Sequence, residues 1–134
     1  VTTFRYKPDI SVKLSPRITK QTSALIDRIC RRHEMFEADV LRLCLEAVVP
    51  LASKRGMTWL TRQIPGFERN LRRDLGAMVT VRTSRRVKAM IDKLKSPNSD
   101  FGENEVVRYC YDYILPIAYR EGFAKIMAMR EEAL

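Results

Sequence analysis

The sequence predicts a mostly α-helical fold carrying one two-stranded antiparallel β-ribbon, formed when two halves of a single chain pair with each other. Three observations lead there. Residues 38–56 (ADVLRLCLEAVVPLASKRG) return at 104–122 (NEVVRYCYDYILPIAYREG), with six identities in 19 positions, among them Cys44/Cys110, Pro50/Pro116 and Gly56/Gly122. A short run alternating between apolar and polar residues stands upstream of each copy, as in a strand with one buried face. Between run and repeat lies a segment of helical periodicity. Internal repeats of this kind govern the whole fold and are read first.

In the first copy the run is Ile10, Val12 and Leu14, with Ser11 and Lys13 between them; in the second it is Val79 and Val81, with Thr80 and Arg82. Val12-Lys13-Leu14 is aligned with Val79-Thr80-Val81. Ser15-Pro16 then offers a helix cap followed by proline at the first helical position, and Thr83 or Ser84 does so in the second copy. First helices are expected over about 16–33 and about 84–95, with Ile18, Leu25, Ile26 and Ile29, or Val87, Met90, Ile91 and Leu94, on the apolar stripe. Second helices are expected over about 37–55 and 103–121, ending at Gly56 and Gly122. Pro50 and Pro116 imply matched kinks.

A unit of this size with one short strand cannot close a core alone. Two units pair their strands and pool four helices, so the expected object is an intramolecular pseudo-dimer filling a single domain, 1–134. Its parts are a first unit at 10–56, a connector at 57–77, a second unit at 78–122 and a C-terminal helix at 123–134. The connector contains Trp59, Leu60, Ile64, Phe67, Leu71 and Leu75, too apolar for a free linker, and is expected to pack a helix of about 66–75 on the bundle.

The chain has 25 Lys and Arg against 16 Asp and Glu, a net charge of +9. Residues 1–34 hold eight basic and three acidic side chains, and 54–88 hold ten and two; the rest is acidic on balance. A field of one sign over part of the surface attracts a polyanion. An odd count of three cysteines is no disulfide framework, and Cys30, Cys44 and Cys110 read as small buried hydrophobes. With no membrane-length apolar run and no charged-then-apolar signal segment, the expected setting is the bacterial cytoplasm. One histidine, His33, and no paired cysteine spacing argue against zinc, and no cofactor is expected. Neither a nucleophile–histidine pair nor a glycine-rich phosphate loop is present, so an enzyme is not expected.

Strand–helix–helix, with VKLSP at the first strand exit and VTVRTS at the second, resembles the ribbon-helix-helix DNA-binding superfamily over about 10–56 and 78–122. The resemblance implies that the ribbon lies in the major groove of double-stranded DNA and that its outward side chains read base edges. Carried over by position, these are Ser11 and Lys13 in the first copy and Thr80 and Arg82 in the second. It further implies a capping residue at the start of the second helix whose amides hold a phosphate; Asn104 fits this role, whereas Ala38 departs from it. The implied function is sequence-specific binding, as an accessory factor in plasmid or T-DNA processing and transfer. A repressor or antitoxin-like regulator that also binds a protein through the acidic C-terminal third is the alternative.

The residues lead to the same face without the resemblance. Alternation turns Ile10, Val12, Leu14, Val79 and Val81 inward and Ser11, Lys13, Thr80 and Arg82 outward. Arginine donates two hydrogen bonds to guanine O6 and N7, lysine reaches the same acceptors, and threonine serves a base edge or a thymine methyl. Arg17, Arg85 and Arg86, at the expected starts of the first helices, oppose the helix dipole and make sense beside a phosphate. Arg69, Arg72 and Arg73 form a second basic group on the connector, read as further phosphate contacts or as a solubilising surface. Because Ser11/Lys13 differs from Thr80/Arg82, the expected DNA site is not a palindrome. Further assembly along DNA and contact with other DNA-processing proteins remain open at this level.

Overall fold

In the computed structural model, residues 9–67, 75–95 and 101–133 are described. The order is β1 (Val12–Leu14), β2 (Arg17–Ile18), α1 (Lys20–His33), α2 (Glu37–Arg55), α3 (Met57–Arg62), β3 (Ala77–Met78), β4 (Val81–Thr83), α4 (Arg85–Leu94), α5 (Glu103–Glu121) and α6 (Phe123–Glu132). The fold is mostly helical, with a small antiparallel ribbon.

Strands from the two ends of the repeat do meet. β1 pairs with β4 (Val12 opposite Thr83, Lys13 opposite Arg82, Leu14 opposite Val81), and β2 pairs with β3 (Arg17 opposite Met78, Ile18 opposite Ala77). Both ladders keep one register. Pro16 interrupts the first strand because it has no N–H to give, yet its carbonyl accepts from Val79 N–H at 3.2 Å and carries the pairing across the gap.

This corrects the start of the first helix. Ser15-Pro16 does not open α1; the strand runs on, with Leu14, Pro16 and Ile18 all buried on one face. Thr19 is the cap, its Oγ1 accepting from Thr22 N–H at 3.0 Å. Ser84 caps α4 in the same way through Val87 N–H at 3.0 Å. Ile18 is fully buried, as expected, but it reaches the core from the strand and not from the apolar stripe of α1. Ile10 is a second correction: it is 42% exposed and precedes the ladder, so the inward alternation begins later.

The second helices match their expected bounds and run through Pro50 and Pro116. α2 is buried along Val40, Leu41, Cys44, Leu45 and all of 47–52, so it has apolar residues around its whole circumference, as a central helix should. It packs against α1, α3, α4, α5 and α6. Tyr111 of α5, fully buried, donates its hydroxyl to the Leu41 carbonyl of α2 at 3.0 Å and fixes the two helices together.

Gly56 (φ 92°, ψ 161°) and Gly122 (φ 81°, ψ −179°) end these helices in a conformation essentially restricted to glycine. Each turns the chain straight into another helix. The C-terminal helix was expected; α3 at the head of the connector was not. The two then cross over: α3 packs on α5, and α6 packs on α2. Met57, Leu60 and Ile64 are buried, and the Phe67 ring stands edge-on to Tyr109 at 4.8 Å, so the described part of the connector is packed. Most of the helix expected at 66–75 lies outside the described residues, as do Arg69, Arg72 and Arg73.

Candidate nucleic-acid interface

The ribbon separates its side chains cleanly by face. Leu14, Ile18, Val79, Val81 and Thr83 are buried against the helices, with Val81 at 1% and Ile18 and Thr83 at 0% exposure. Lys13, Ser15, Arg17, Met78, Thr80 and Arg82 are all exposed on the other side. No carboxylate belongs to this set. Among the described residues no acid pairs with Lys13, Arg17 or Arg82.

Lys13 stands directly opposite Arg82. Side chains so placed have Cβ atoms roughly 4.5–5.5 Å apart, and like charges there repel. Nothing in the fold needs two cations at this point. An anion or an array of acceptors placed above the ribbon would offset the repulsion.

Of the four residues expected to project from the ribbon, Lys13, Thr80 and Arg82 are exposed on its outward face, and Ser11, also exposed, lies ahead of the paired residues. Ser11 precedes β1, and both its N–H (3.1 Å) and its hydroxyl (2.6 Å) donate to Asp9 Oδ1. The other Asp9 oxygen accepts from Arg85 N–H at 3.1 Å and lies 3.5 Å from Arg85 Nε. Asp9 thus ties the start of the ribbon to the first turn of α4. The Ser11 hydroxyl, followed by the Arg85 and Ser11 amides, lowers its pKa to about 2.

Arg17 was expected at a helix start and instead occupies β2, where it joins the outward face. Its backbone N–H donates to Asn104 Oδ1 at 2.6 Å. Asn104 therefore does not cap α5. The cap position is Gly102, which has no side-chain cap bond, and Asn104 serves as a strut from the first turn of α5 to the ribbon. Arg85 and Arg86 do stand in the first turn of α4 and are exposed, with Arg85 partly balanced by Asp9. On the flank of α4, Lys88 binds Asp92 at 2.8 Å and also Glu103, while Lys95 binds Asp92 at 3.1 Å. These salt links raise the Lys88 pKa and lower that of Asp92, and they withdraw Lys88 and Lys95 from any free cationic surface.

Sequence reasoning missed Ser15 and Met78 and misplaced Arg17. The signal was available in the caps. Thr19 and Ser84 stand 65 residues apart, and so do the buried Ile26 and Ile91. Alignment on that spacing matches Lys13 with Met78, Ser15 with Thr80 and Arg17 with Arg82, in place of the earlier match of Val12-Lys13-Leu14 to Val79-Thr80-Val81. The observed register agrees, since Lys13 pairs with the counterpart of Arg17, and Arg17 with the counterpart of Lys13.

Cys30, Cys44 and Cys110 are free thiols. Burial pushes the pKa of Cys44 and Cys110 up to about 12, and it also raises that of Tyr111 well above its ordinary value. Among the described residues no cluster of three or more His, Cys, Asp or Glu side chains is placed to hold a metal ion. Nor is any described helix long and apolar enough to cross a membrane. Comparison with protein-family models, with curated proteins and with solved structures finds no match to the chain.

Proposed function

We propose that this chain is a sequence-specific double-stranded DNA-binding protein of the ribbon-helix-helix type, built as an intramolecular pseudo-dimer and acting by binding without catalysis. One observation carries the reading: a two-stranded ribbon whose exposed face holds Lys13, Arg17 and Arg82 and no carboxylate. A ribbon of two strands fits the major groove, which is ~12 Å wide. In that groove Arg17, Arg82 and Lys13 donate to guanine O6 and N7, and Ser15 and Thr80 meet base edges near the centre. Arg85 and Arg86 flank the ribbon at the level of the backbone phosphates. The tandem, single-chain arrangement of the two units is similar to that of a T-DNA-transfer accessory protein, and that similarity supports an accessory role in plasmid or T-DNA processing and transfer, in the cytoplasm of a bacterium.

The test is selection from a randomised duplex library, followed by anisotropy titration of the recovered site. Replacing both Lys13 and Arg82 by Ala should lower affinity for that site while leaving the helical circular-dichroism signal unchanged. A good bidentate contact discriminates by ~1–3 kcal/mol, so the double variant should lose at least tenfold. Log affinity should fall linearly with log salt, by about 0.9 for each phosphate neutralised. Affinity that is independent of salt and of both residues refutes the reading.

A further inference from the structure

The outward face is nearly symmetric about the centre of the ribbon, and the exception is a single pair. With the two halves matched on their helix caps, Arg17 and Arg82 are identical, and Ser15 and Thr80 both present a hydroxyl. Lys13 and Met78 differ in charge, in hydrogen bonding and in hydration. Met78 is 61% exposed, on a face where its counterpart is a cation. Antiparallel pairing sends this difference to opposite ends of the ribbon. Lys13 and Arg82 lie opposite each other at one end, and Arg17 and Met78 at the other. One end therefore offers two cations, and the other offers one cation beside a thioether.

We infer that Met78 sets the direction in which the ribbon lies on its duplex and the base it accepts at the matching position. This rests on the DNA-binding reading above and specifies it. A methionine thioether has no hydrogen to donate. Set over guanine, it strips water from O6 and N7 and gives nothing back, so a G·C pair there is rejected. Set over thymine, it makes an apolar contact with the C5 methyl group, the one apolar feature of the major-groove edge. Lys13, at the matching position of the other end, does the reverse, since its ammonium satisfies guanine acceptors. The recognised sequence is accordingly two half-sites alike at the position read by arginine and different at the position read by the residue opposite it, guanine under Lys13 and thymine under Met78. The earlier expectation of a non-palindromic site is retained, and its cause moves to one side chain that the first alignment left out.

The experiment compares wild type, Met78→Lys and Lys13→Met in selections from the same randomised duplex library. Both substituted positions are exposed, and unchanged circular dichroism and unfolding midpoints verify that each variant folds. Wild type should recover a site asymmetric at the positions read by Lys13 and Met78. Met78→Lys should recover a palindrome with guanine at both of these positions, and Lys13→Met the palindrome with thymine at both. Against the wild-type site, the Met78→Lys protein should prefer its own palindrome by about 5- to 150-fold, the factor equivalent to a discrimination of ~1–3 kcal/mol. A wild-type palindrome, or a Met78→Lys selection identical to that of wild type, overturns the inference while DNA binding stands. If none of the three proteins enriches any sequence over random duplex, the DNA-binding reading fails first and takes this inference with it.

Discussion

Thr83 provides a sharp test of how the underside of the ribbon is built. It lies opposite Val12 at 0% exposure, and its Oγ1 has no hydrogen-bond partner among the described residues. Its counterpart in the other half, on the cap spacing, is Ile18, a fully buried hydrocarbon side chain. Burying a hydroxyl without a partner costs ~1–3 kcal/mol by mutational measurement. Thr83→Val keeps the branched shape, removes that cost and adds a methyl group to an apolar surface. The variant should be more stable than wild type by about 1–3 kcal/mol. For a chain of this length each kcal/mol corresponds to roughly 4 °C in Tm. Urea unfolding followed by circular dichroism measures the difference directly, and an unchanged m-value shows that only stability has moved. Thr83→Ser is the companion variant: it keeps the hydroxyl and loses the methyl, and should be destabilised by about 1 kcal/mol. DNA affinity should be the same in both, because Thr83 faces the core. A Thr83→Val protein less stable than wild type refutes the argument, for it shows that the hydroxyl is satisfied in the native state.

Three further outcomes are expected. Cys44 and Cys110, buried and with pKa values near 12, should not react with a thiol reagent at pH 8 in the native protein, and all three cysteines should react in guanidinium; rapid native labelling of Cys44 or Cys110 contradicts the packing. Gly56→Ala should cost about 1–3 kcal/mol in unfolding free energy, although no atom lies within 4 Å of the added carbon, because its φ of 92° is unfavourable for any side chain. Asp9 has a folded pKa below its ordinary value, so its contribution is complete above about pH 4 and is lost as pH falls through about 2. The Arg85 amide resonance should follow that transition, and a midpoint near 3.9 means that the carboxylate is not held by Ser11 and Arg85.

The long elements were legible because their signals were redundant. α2 and α5 announce themselves twice, each with helical periodicity, an internal proline and a terminal glycine at the same offset. The ribbon was legible from alternation, and so was its polar face in outline. What failed was local. Ser15-Pro16 is a strong helix-start signal on its own, and it prevailed over the weaker fact that Leu14, Pro16 and Ile18 continue the strand period. A two-stranded ribbon tolerates proline because each strand has one edge free of a partner, a property of the assembled sheet that no single strand declares. That error moved Arg17 off the outward face and aligned the halves two residues out of step, which hid Met78. Asn104 failed for a different reason. Its carbonyl is taken by Arg17 N–H, 87 positions earlier in the chain, and no local pattern encodes such a contact. α3 was missed although α6 was foreseen, even though Gly56 and Gly122 mark the same turn in both copies.

β1 and β4 belong to one polypeptide, so closure of the ribbon is a first-order event. An assembly of two separate chains falls apart as it is diluted, and its affinity for any ligand then includes the equilibrium between its subunits. Pairing β1 with β4 within one chain carries no such term, so the contribution of the ribbon to stability should not change with protein concentration.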